Sequence, residues 1–406
     1  MINLCIQNIY LMRLLGVMDN KLYIAAAGAG KTTTLVKEAL KLSPQKVLIT
    51  TFTESNAAEI KSKLISESGC CPENIEVVTW FSFLLRQMVR PYQSELVPET
   101  HKWNIGFYLV SNKSGQRFDS DGEPIKNKMG FPMYWGADNP TRYYFTSDRK
   151  IYSDKISMFS LEVNKAAKGK LIERIERIFD HMFIDEIQDM VGYDLDIIKL
   201  LLRSKISLTL VGDPRQVTYT THFSSKYKKY GSGNVKEFIE NELGKNINCK
   251  VDTDTLKHSH RNPKMICDYS SMIYSNFPKT EPCNCETCKG DENIDKGVFR
   301  VDPKDVRIYL SERSSAQLRW ASNVSVEDDF PVSTYGNSKG KTFDNVLLYP
   351  TKPMIEWIKN HDSKLSDEAR AKLYVGITRA KYSSVIVLNS NVQCDLPTIK
   401  LNRNKN

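Results

Sequence analysis

The chain has 406 residues, of which 41% are hydrophobic and 26% charged, a composition that is ordinary for a globular protein and excludes disordered and fibrous classes. Its 57 basic and 48 acidic residues give a net charge of +9, which suits a polyanionic partner such as nucleic acid. Nine cysteines, odd in number and unevenly spaced, exclude a secreted disulfide framework, so we expect a reducing, cytoplasmic location.

The first seventeen residues are apolar, yet they lack the features of a targeting segment. No basic stretch begins them, Arg13 interrupts the apolar run, and no small-residue cleavage site follows. The run is also too short to span a bilayer, so no membrane association is expected. Because Met18 directly precedes the first predicted strand, residues 1–17 are a candidate for a non-native extension.

A phosphate-binding loop is predicted at residues 24–33, IAAAGAGKTT. An apolar run before it predicts a buried strand, and a helical pattern follows directly. Backbone N–H groups at a helix N-terminus favour anions, and Gly28 and Gly30 let the backbone approach phosphate without a Cβ. In such loops Lys31 would reach the outer phosphates of a nucleotide, and Thr32 would offer its hydroxyl to magnesium. The alternative is a Gly/Ala-rich turn with a chance lysine, since alanine replaces the first glycine of GxxxxGK[ST].

Further strand–helix units after the loop predict an α/β fold with a parallel sheet. A strand is predicted at residues 46–53, and residues 75–83 are predicted to be a strand that runs into an aromatic-rich turn, with a helix at 56–64 that Ser55 caps. Polar and aromatic side chains end these strands, at the edge of the sheet where ligands bind. The aromatic side chains of the second strand either stack on the bases of a single strand or belong to the core. They are Trp80, Phe81 and Phe83.

The composition changes between residues 91 and 170, which we interpret as an inserted subdomain. Gly, Asn, Asp, Ser and Tyr dominate this stretch. Tyrosines and basic residues stand together in RYY and RKIY, which is consistent either with a nucleic-acid face or with a solvated surface.

An acidic pair follows the next predicted strand. A short amphipathic helix at 171–178 leads into the apolar strand 181–184, which ends in Asp185 and Glu186. Two acids at the end of a buried strand are costly unless a cation or water satisfies them. In a phosphate-loop protein one carboxylate holds magnesium, and its neighbour polarises the attacking water. The alternative is a helix N-terminus that is enriched in acids.

Polar turns also follow the strands predicted in the rest of the chain. Strand 207–211 leads into GDPRQ, where Gln216 is a candidate sensor of the terminal phosphate. Arg261 and Arg379 lie in later polar turns, and arginine suits a fork that reaches phosphate, although either one is equally consistent with a surface ion pair. The later strands are predicted at 306–317, 345–349 and 385–388.

Taken in order, these segments resemble a superfamily 1 helicase of the UvrD/Rep type over most of residues 22–388. Seven stretches match the motifs of that family in the family's order, and the family tolerates alanine at the position of Ala25. The resemblance implies two RecA-like parallel-sheet motor domains with an inserted subdomain in the first, ATP hydrolysed between the two lobes, and 3′→5′ movement on single-stranded DNA. The matching stretches are AAAGAGKTT, TFTESNAAEI, FIDEIQDM, VGDPRQVTY, RSSAQLR, SKGKTF and YVGITRAK.

The resemblance also implies domain boundaries. The first motor domain would comprise residues 18–90 and 171–235, and the inserted subdomain 91–170. The second motor domain would comprise 236–390, with a short Cys-rich insertion near 279–297, before a basic tail at 391–406.

Residue roles follow from the same resemblance. Lys31 and Thr32 would hold the phosphates and Mg²⁺, Asp185 would support the Mg²⁺, and Glu186 would orient the hydrolytic water. Gln216 would couple the γ-phosphate to the DNA strand, with Arg261 and Arg379 as two arginine fingers. The other implied ATP contacts are Ala27, Gly28, Ala29, Gly30, Thr33, His260 and Gly340. The implied DNA contacts are Thr51, Phe52, Thr53, Thr79, Trp80, Tyr219, His222, Thr334 and Lys339.

Several positions depart from the family pattern. No LNxxQ adenine-reading element precedes the phosphate loop, and His260 replaces the tyrosine before the first arginine finger, so a preference for ATP over GTP is left open. Thr221 replaces a base-stacking tryptophan, with the histidine and phenylalanine directly after it as candidate substitutes. Gly336 and Thr342 replace a histidine and a glutamate near nucleotide and DNA, so the coupling is expected to be weak or differently wired.

A cysteine cluster stands where full-size relatives carry a large insertion. Only about seventy residues separate Arg261 from Thr334, too few for that insertion, and they contain CNCETC with Cys283, Cys285 and Cys288. This spacing predicts either a Zn²⁺ site or reduced thiols on an exposed loop. The fourth ligand is not identified by the spacing; the candidates are Cys267, Cys249 and a histidine.

Two functions are consistent with these segments. The first is an ATP-driven translocase or helicase on single-stranded or tailed duplex DNA. The second is an ATP-gated DNA-binding subunit that recruits or activates a partner such as a nuclease, with little unwinding; small family members of this shape occur beside nuclease partners in phage-defence systems. A phosphate-loop kinase is excluded because it needs no second lobe with SKGKTF and TRAK segments.

Overall fold

The computed structural model describes residues 19–218, 226–244, 247–285, 288 and 294–401. These residues form two compact units. The first contains Thr32–Val211 and the described residues of Met1–Leu22 and Thr220–Val251. The second contains Tyr23–Lys31, the described residues of Gly212–Tyr219, and those of Asp252–Asn406. The phosphate loop and the GDPRQ turn therefore group with the C-terminal part of the chain.

A six-stranded sheet is built by the N-terminal strand–helix units, in the order β3-β2-β6-β7-β1-β8. Strand β2 pairs in parallel with β3 and β6, and β6 pairs in parallel with β7. All five residues of β2 are buried, as expected of a strand covered on both faces. The elements of this part are β1 (Asn20–Ile24), α1 (Lys31–Leu40), β2 (Val47–Thr51), α2 (Glu54–Ser68), β3 (Ile75–Thr79), α3 (Trp80–Phe83, continued by the π turn Leu84–Val89), and, after the inserted region, β6 (His181–Asp185), β7 (Ser207–Gly212) and β8 (Cys249–Asp252).

The inserted region contains little sheet. Strands β4 (Gly106–Tyr108) and β5 (Lys150–Tyr152) form a two-stranded parallel sheet. The helices of this region and of the rest of the first unit are α4 (Gln93–Leu96), α5 (Pro140–Tyr144), α6 (Ile156–Ala166), α7 (Lys170–Ile178), α8 (Tyr193–Leu202) and α9 (Val235–Glu242). Helix α7 buries Leu171 and Ile175, four residues apart on one face, which confirms the predicted amphipathic helix.

The second unit contains a five-stranded, wholly parallel sheet in the order β11-β15-β14-β12-β13. A short parallel pair, β9 with β10, precedes it. The predicted α/β class with parallel sheets is therefore confirmed. The elements are β9 (His258–Ser259), α10 (Lys264–Ile273), β10 (Glu281–Pro282), β11 (Gly297–Val301), α11 (Val306–Glu312), β12 (Ser315–Arg319), β13 (Val332–Thr334), β14 (Phe343–Leu348), α12 (Lys352–Lys359), α13 (Asp367–Thr378) and β15 (Ala380–Val387).

Three sequence predictions about local structure were wrong. The strand predicted at 306–317 is helix α11 followed by β12, because Val306, Tyr309 and Leu310 are buried at helical spacing. The aromatic-rich turn predicted at the end of the strand that begins at residue 75 is helix α3, which starts directly after Thr79. The cap of α2 is Thr53 and not Ser55, since the Thr53 side chain accepts from Asn56 N–H.

No helix within the described ranges is both long and apolar enough to cross a membrane.

Candidate nucleotide site and cysteine cluster

The phosphate loop joins β1 directly to α1, as predicted. Gly28 and Gly30 have φ angles of 74° and 77°, a left-handed conformation that favours glycine. A Cβ atom added to Gly28 would lie 2.7 Å from both Arg261 Cβ and Ser259 Oγ, so the neighbouring segment leaves no room for a side chain. Ala25 is buried, and its N–H donates to the end of β7 at 2.8 Å. The loop is thus held by backbone contacts on both sides.

The other loop residues predicted to contact nucleotide lie in this turn and in the first turn of α1. Ala27 and Ala29 are buried. Lys31, Thr32 and Thr33 are partly exposed, so the amine and both hydroxyls can meet a ligand.

A buried ionic centre lies in the GDPRQ turn, and the sequence analysis did not single out Asp213 or Arg215, the two charged residues that form it. Asp213 accepts from Arg215 Nε at 2.8 Å, from Gln216 Nε2 at 2.8 Å and from the Tyr374 hydroxyl at 3.3 Å. Burial alone would lower the pKa of Arg215, but Asp213 outweighs it and raises that pKa above its ordinary value. Arg215 also donates to Ala25 O at 3.0 Å, which attaches the turn to the phosphate loop.

Tyr374 is a second missed residue, although it lies in the matched stretch YVGITRAK. Its hydroxyl donates to Asp213 and accepts from Ala27 N–H at 3.4 Å. Burial raises the pKa of Tyr374, so the phenol keeps its proton. Helix α13 is therefore linked through one side chain to both the phosphate loop and the GDPRQ turn.

Two predicted catalytic residues meet in the second unit. Arg379 Nη2 donates to Gln216 Oε1 at 3.0 Å, and both side chains are 2% exposed. Arg379 is also held by Val375 O at 3.3 Å, one turn back in α13. A hydrogen bond from a charged donor in a buried setting is among the stronger kinds. The candidate γ-phosphate sensor and a candidate arginine finger are thus joined by a direct hydrogen bond.

The Arg261 side chain is hydrogen-bonded to the backbone directly before Arg379. Its Nη1 donates at 3.2 Å to the backbone oxygen of Thr378, the residue that precedes Arg379. Asn262 holds the same carbonyl at 3.1 Å and Ala380 O at 2.8 Å. The turn that carries Arg261 is therefore attached to the end of α13.

The acidic pair lies at the carboxyl end of β6 in the first unit, as predicted. Asp185 and Glu186 are both buried, and Asp185 Oδ1 accepts from Glu186 N–H at 3.0 Å. Glu186 has a φ of 57°, which is uncommon for a residue with a side chain and is typical of functional sites. Gln188 donates to the Glu186 carboxylate. Buried oxygen ligands of this kind fit Mg²⁺.

The structure contradicts two of the predicted DNA contacts. Trp80 is fully buried, and its Nε1 donates to Asp194 Oδ1 at 2.8 Å, so its ring belongs to the core. Thr51 is fully buried as well. Phe81 and Phe83 are also buried in α3, which decides the open alternative for these aromatics in favour of the core.

The remaining predicted contacts differ in their exposure. Thr53 is exposed, and Phe52 is partly exposed. Thr79 is buried and caps α3 by accepting from Ser82 N–H. Partly exposed positions in the second unit are Thr334, Lys339 and Gly340. Tyr219, Thr221, His222 and Phe223 lie outside the described residues.

The three cysteines of CNCETC lie together with a histidine. The ligand atoms of His260, Cys283, Cys285 and Cys288 are all within 4.8 Å of one another. Burial and the neighbouring cysteines raise the pKa of Cys288 to about 11. The other candidates for a fourth ligand are placed differently: Cys267 donates to Asn262 O at 3.4 Å, and Cys249 lies in β8. Of the three candidates for a fourth ligand, the histidine is the one that lies beside the three cysteines.

Two family models and several named proteins are similar to this chain. The family described as an AAA domain matches residues 17–222, and the viral superfamily 1 RNA helicase core domain matches residues 152–388. The chain is 22% identical to a "Probable DNA helicase" of Mycoplasma pneumoniae over 88% of its own length and 78% of that protein. It is 22% identical to the ATP-dependent DNA helicase Rep of Buchnera aphidicola over 63% of its own length and 41% of Rep.

One solved structure similar to this chain is that of Arterivirus nonstructural protein 10, a helicase. The TM-score is 0.44 at 15% identity, over 93% of this chain and 61% of the viral chain. The chain thus spans less than two thirds of both Rep and the viral protein.

Proposed function

This chain belongs to the superfamily 1 helicases of the UvrD/Rep type, a family of DNA-dependent ATPases, and we propose that it is an ATP-driven motor that translocates 3′→5′ on single-stranded DNA and unwinds tailed duplex DNA. The observation that carries the proposal is the hydrogen bond between Gln216 and Arg379. A motor needs hydrolysis to depend on residues that respond to the terminal phosphate, and this pair connects the GDPRQ turn to the end of α13.

The proposed chemistry uses side chains whose types and burial suit each role. Lys31 binds the outer phosphates, and the oxygens of Thr32 and Asp185 suit Mg²⁺, which when bound offsets phosphate charge. Glu186 accepts the proton of the attacking water, and its hydrogen bond with Gln188 fixes the direction of its carboxylate.

Two arginines would stabilise the charge that develops on the transferred phosphoryl group. Arg379 and Arg261 are held by neighbouring carbonyls, which limits the rotamers that each guanidinium can adopt. Positioned donors cost no reorganisation when the charge develops, which is why such groups lower the barrier. The proposed DNA contacts are Phe52, Thr53, Thr79, Tyr219, His222, Thr334 and Lys339.

A second proposal concerns the cysteines. We propose that Cys283, Cys285 and Cys288 bind Zn²⁺, because three thiols at this spacing have the softness that zinc prefers over harder cations. Their sulfur atoms lie within 4.8 Å of one another, as a shared ion requires.

ATP hydrolysis with and without single-stranded DNA tests the motor proposal, together with displacement of streptavidin from biotin at either end of an oligonucleotide. We expect hydrolysis to rise with DNA and streptavidin to leave the 5′ end faster than the 3′ end. Stimulated hydrolysis with no displacement would instead support the ATP-gated subunit that recruits a nuclease. Hydrolysis that no nucleic acid stimulates would contradict both functions.

A further inference from the structure

We propose that His260 completes a Cys3His zinc site, and that the bound metal positions Arg261 against the phosphate loop. The inference rests on the Zn²⁺ and ATPase roles proposed for this chain, and it adds a ligand and a consequence to them. Metal occupancy would then control ATP hydrolysis through the backbone that carries Arg261.

The geometry of the four ligands fits one tetrahedral ion. With Zn–S near 2.3 Å and Zn–N near 2.0 Å, ligand atoms of a tetrahedral site are separated by about 3.5 to 3.8 Å. His260 Nδ1 lies 3.7 Å from Cys288 Sγ, and the largest separation within the group is 4.8 Å. Movements of about 1 Å close the site, which side-chain rotation can supply.

Strand register explains why these residues meet. The parallel pairing of β9 with β10 places His258 opposite Glu281 and Ser259 opposite Pro282. Cys283 N–H then donates to Ser259 O at 2.8 Å, which continues the ladder by one residue. His260 and Cys283 therefore follow the same end of the pair.

Two backbone N–H groups of the described cysteines donate to atoms of neighbouring cysteines. Cys285 N–H donates to Cys283 Sγ at 3.3 Å, and Cys288 N–H donates to Cys285 O at 3.0 Å. Hydrogen bonds from backbone N–H groups orient metal-bound thiolates. Three thiolates on one Zn²⁺ leave a net charge of −1, and Lys381 lies close enough to Cys288 for the two to interact electrostatically.

The fourth ligand connects this site to the phosphate loop. His260 N–H donates to Gly28 O at 2.9 Å. Arg261 follows directly in the chain, and its Cβ lies where a side chain of Gly28 would be. A metal that holds the His260 ring therefore restrains the backbone that aims the Arg261 guanidinium. A histidine bound to metal is also unavailable to contact ATP, which is the role that the family resemblance implies for His260.

Metal content of the purified full-length protein tests the ligand assignment without any activity. We expect one zinc per chain, and a Co²⁺-substituted protein with the visible spectrum of a tetrahedral site. His260→Ala should lose at least about tenfold in metal affinity, as removal of supporting groups alone costs about 10- to 100-fold. His258→Ala, two residues away, should keep its metal, and His260→Cys should restore binding if the alanine variant folds poorly.

Turnover tests the consequence separately. Removal of zinc by a zinc-selective chelator, with Mg²⁺ kept in excess, and His260→Ala should each lower kcat for ATP hydrolysis about tenfold or more, with a smaller change in the affinity for a non-hydrolysable ATP analogue, because an arginine finger acts mainly in the transition state. In Arg261→Ala protein, chelation should lower kcat no further.

Each part of the inference has its own contradicting result. Unchanged metal content and an unchanged Co²⁺ spectrum in His260→Ala would overturn the ligand assignment. Loss of zinc with kcat intact would overturn the control of Arg261. A metal-loaded protein that hydrolyses no ATP would instead count against the proposed ATPase.

Discussion

Two glycines of the phosphate loop provide a matched pair of variants, Gly28→Ala and Gly30→Ala. Both residues have nearly the same positive φ, so alanine costs about 1–2 kcal/mol of backbone strain at either position. They differ in their surroundings. The new Cβ at position 28 would lie 2.7 Å from Arg261 Cβ and Ser259 Oγ, whereas at position 30 its nearest neighbour is His260 Cδ2 at 3.8 Å.

The close contact at Gly28 adds an overpacking cost of about 1–3 kcal/mol. We therefore expect Gly28→Ala to unfold at a lower temperature than Gly30→Ala, by about 2–12 °C, given about 2–4 °C per kcal/mol for a unit of this size. Because the displaced segment carries Arg261, kcat for ATP hydrolysis should fall further in Gly28→Ala as well. Equal melting temperatures for the two variants would refute the close packing of the Arg261 segment on the loop.

Three further predictions concern the residues Glu186 and Lys31, the buried tryptophan and a half-buried histidine. Glu186→Gln should lower kcat at least about 100-fold while ATP still binds, whereas Lys31→Ala should weaken binding too; wild-type turnover in Glu186→Gln would exclude Glu186 as the base. Trp80→Phe should cost about 1–3 kcal/mol, since it removes a hydrogen-bond donor from the buried Asp194 carboxylate, to which Ser157 Oγ still donates, and should not change DNA affinity measured by fluorescence anisotropy; a large loss of affinity would return Trp80 to the DNA site. Burial and the nearby charge of Lys21 lower the pKa of His181 to about 4 in the folded protein. The unfolded chain therefore binds a proton at His181 at a higher pH than the folded protein does, and the free energy of unfolding should fall as the pH drops from about 6.5 to 4. Melting temperatures should show a smaller fall for His181→Gln, and an identical fall would contradict the assignment.

Predictions from the sequence were most accurate where a residue pattern is compatible with a single type of secondary structure. Apolar runs that end in polar residues became strands β1, β2, β6 and β7, and their ends carry the phosphate loop, the acidic pair and the GDPRQ turn. In a parallel sheet the carboxyl ends of the strands are where ligands bind, so the position of the candidate site could be predicted from local order alone. Predicting the phosphate loop required only its two glycines and the helical pattern that follows them.

Predictions failed where two structures share one pattern. Residues 306–310 alternate between apolar and polar side chains as a strand would, but the buried positions follow helical spacing. Trp80 fits either a base-stacking role or the core, and its partner Asp194 is 114 residues away in the chain. A local pattern holds no information about such a contact.

The polar groups around the candidate site show the same limit. Asp213 and Arg215 of the GDPRQ turn form a centre with Tyr374, which lies in a distant stretch of the chain. His260 reaches the cysteines through the register of β9 with β10, which depends on strand pairing and not on the spacing of the cysteines. The sequence alone therefore could not identify the histidine that lies beside the cysteines.

Strand displacement tests the central claim most directly. Duplexes with a 3′ or a 5′ single-stranded tail are mixed with the protein and ATP, and Glu186→Gln protein serves as the matched control. We predict ATP-dependent unwinding of the 3′-tailed duplex, little unwinding of the 5′-tailed one, and none with the variant. Stable binding to tailed DNA without displacement of either duplex would contradict the motor.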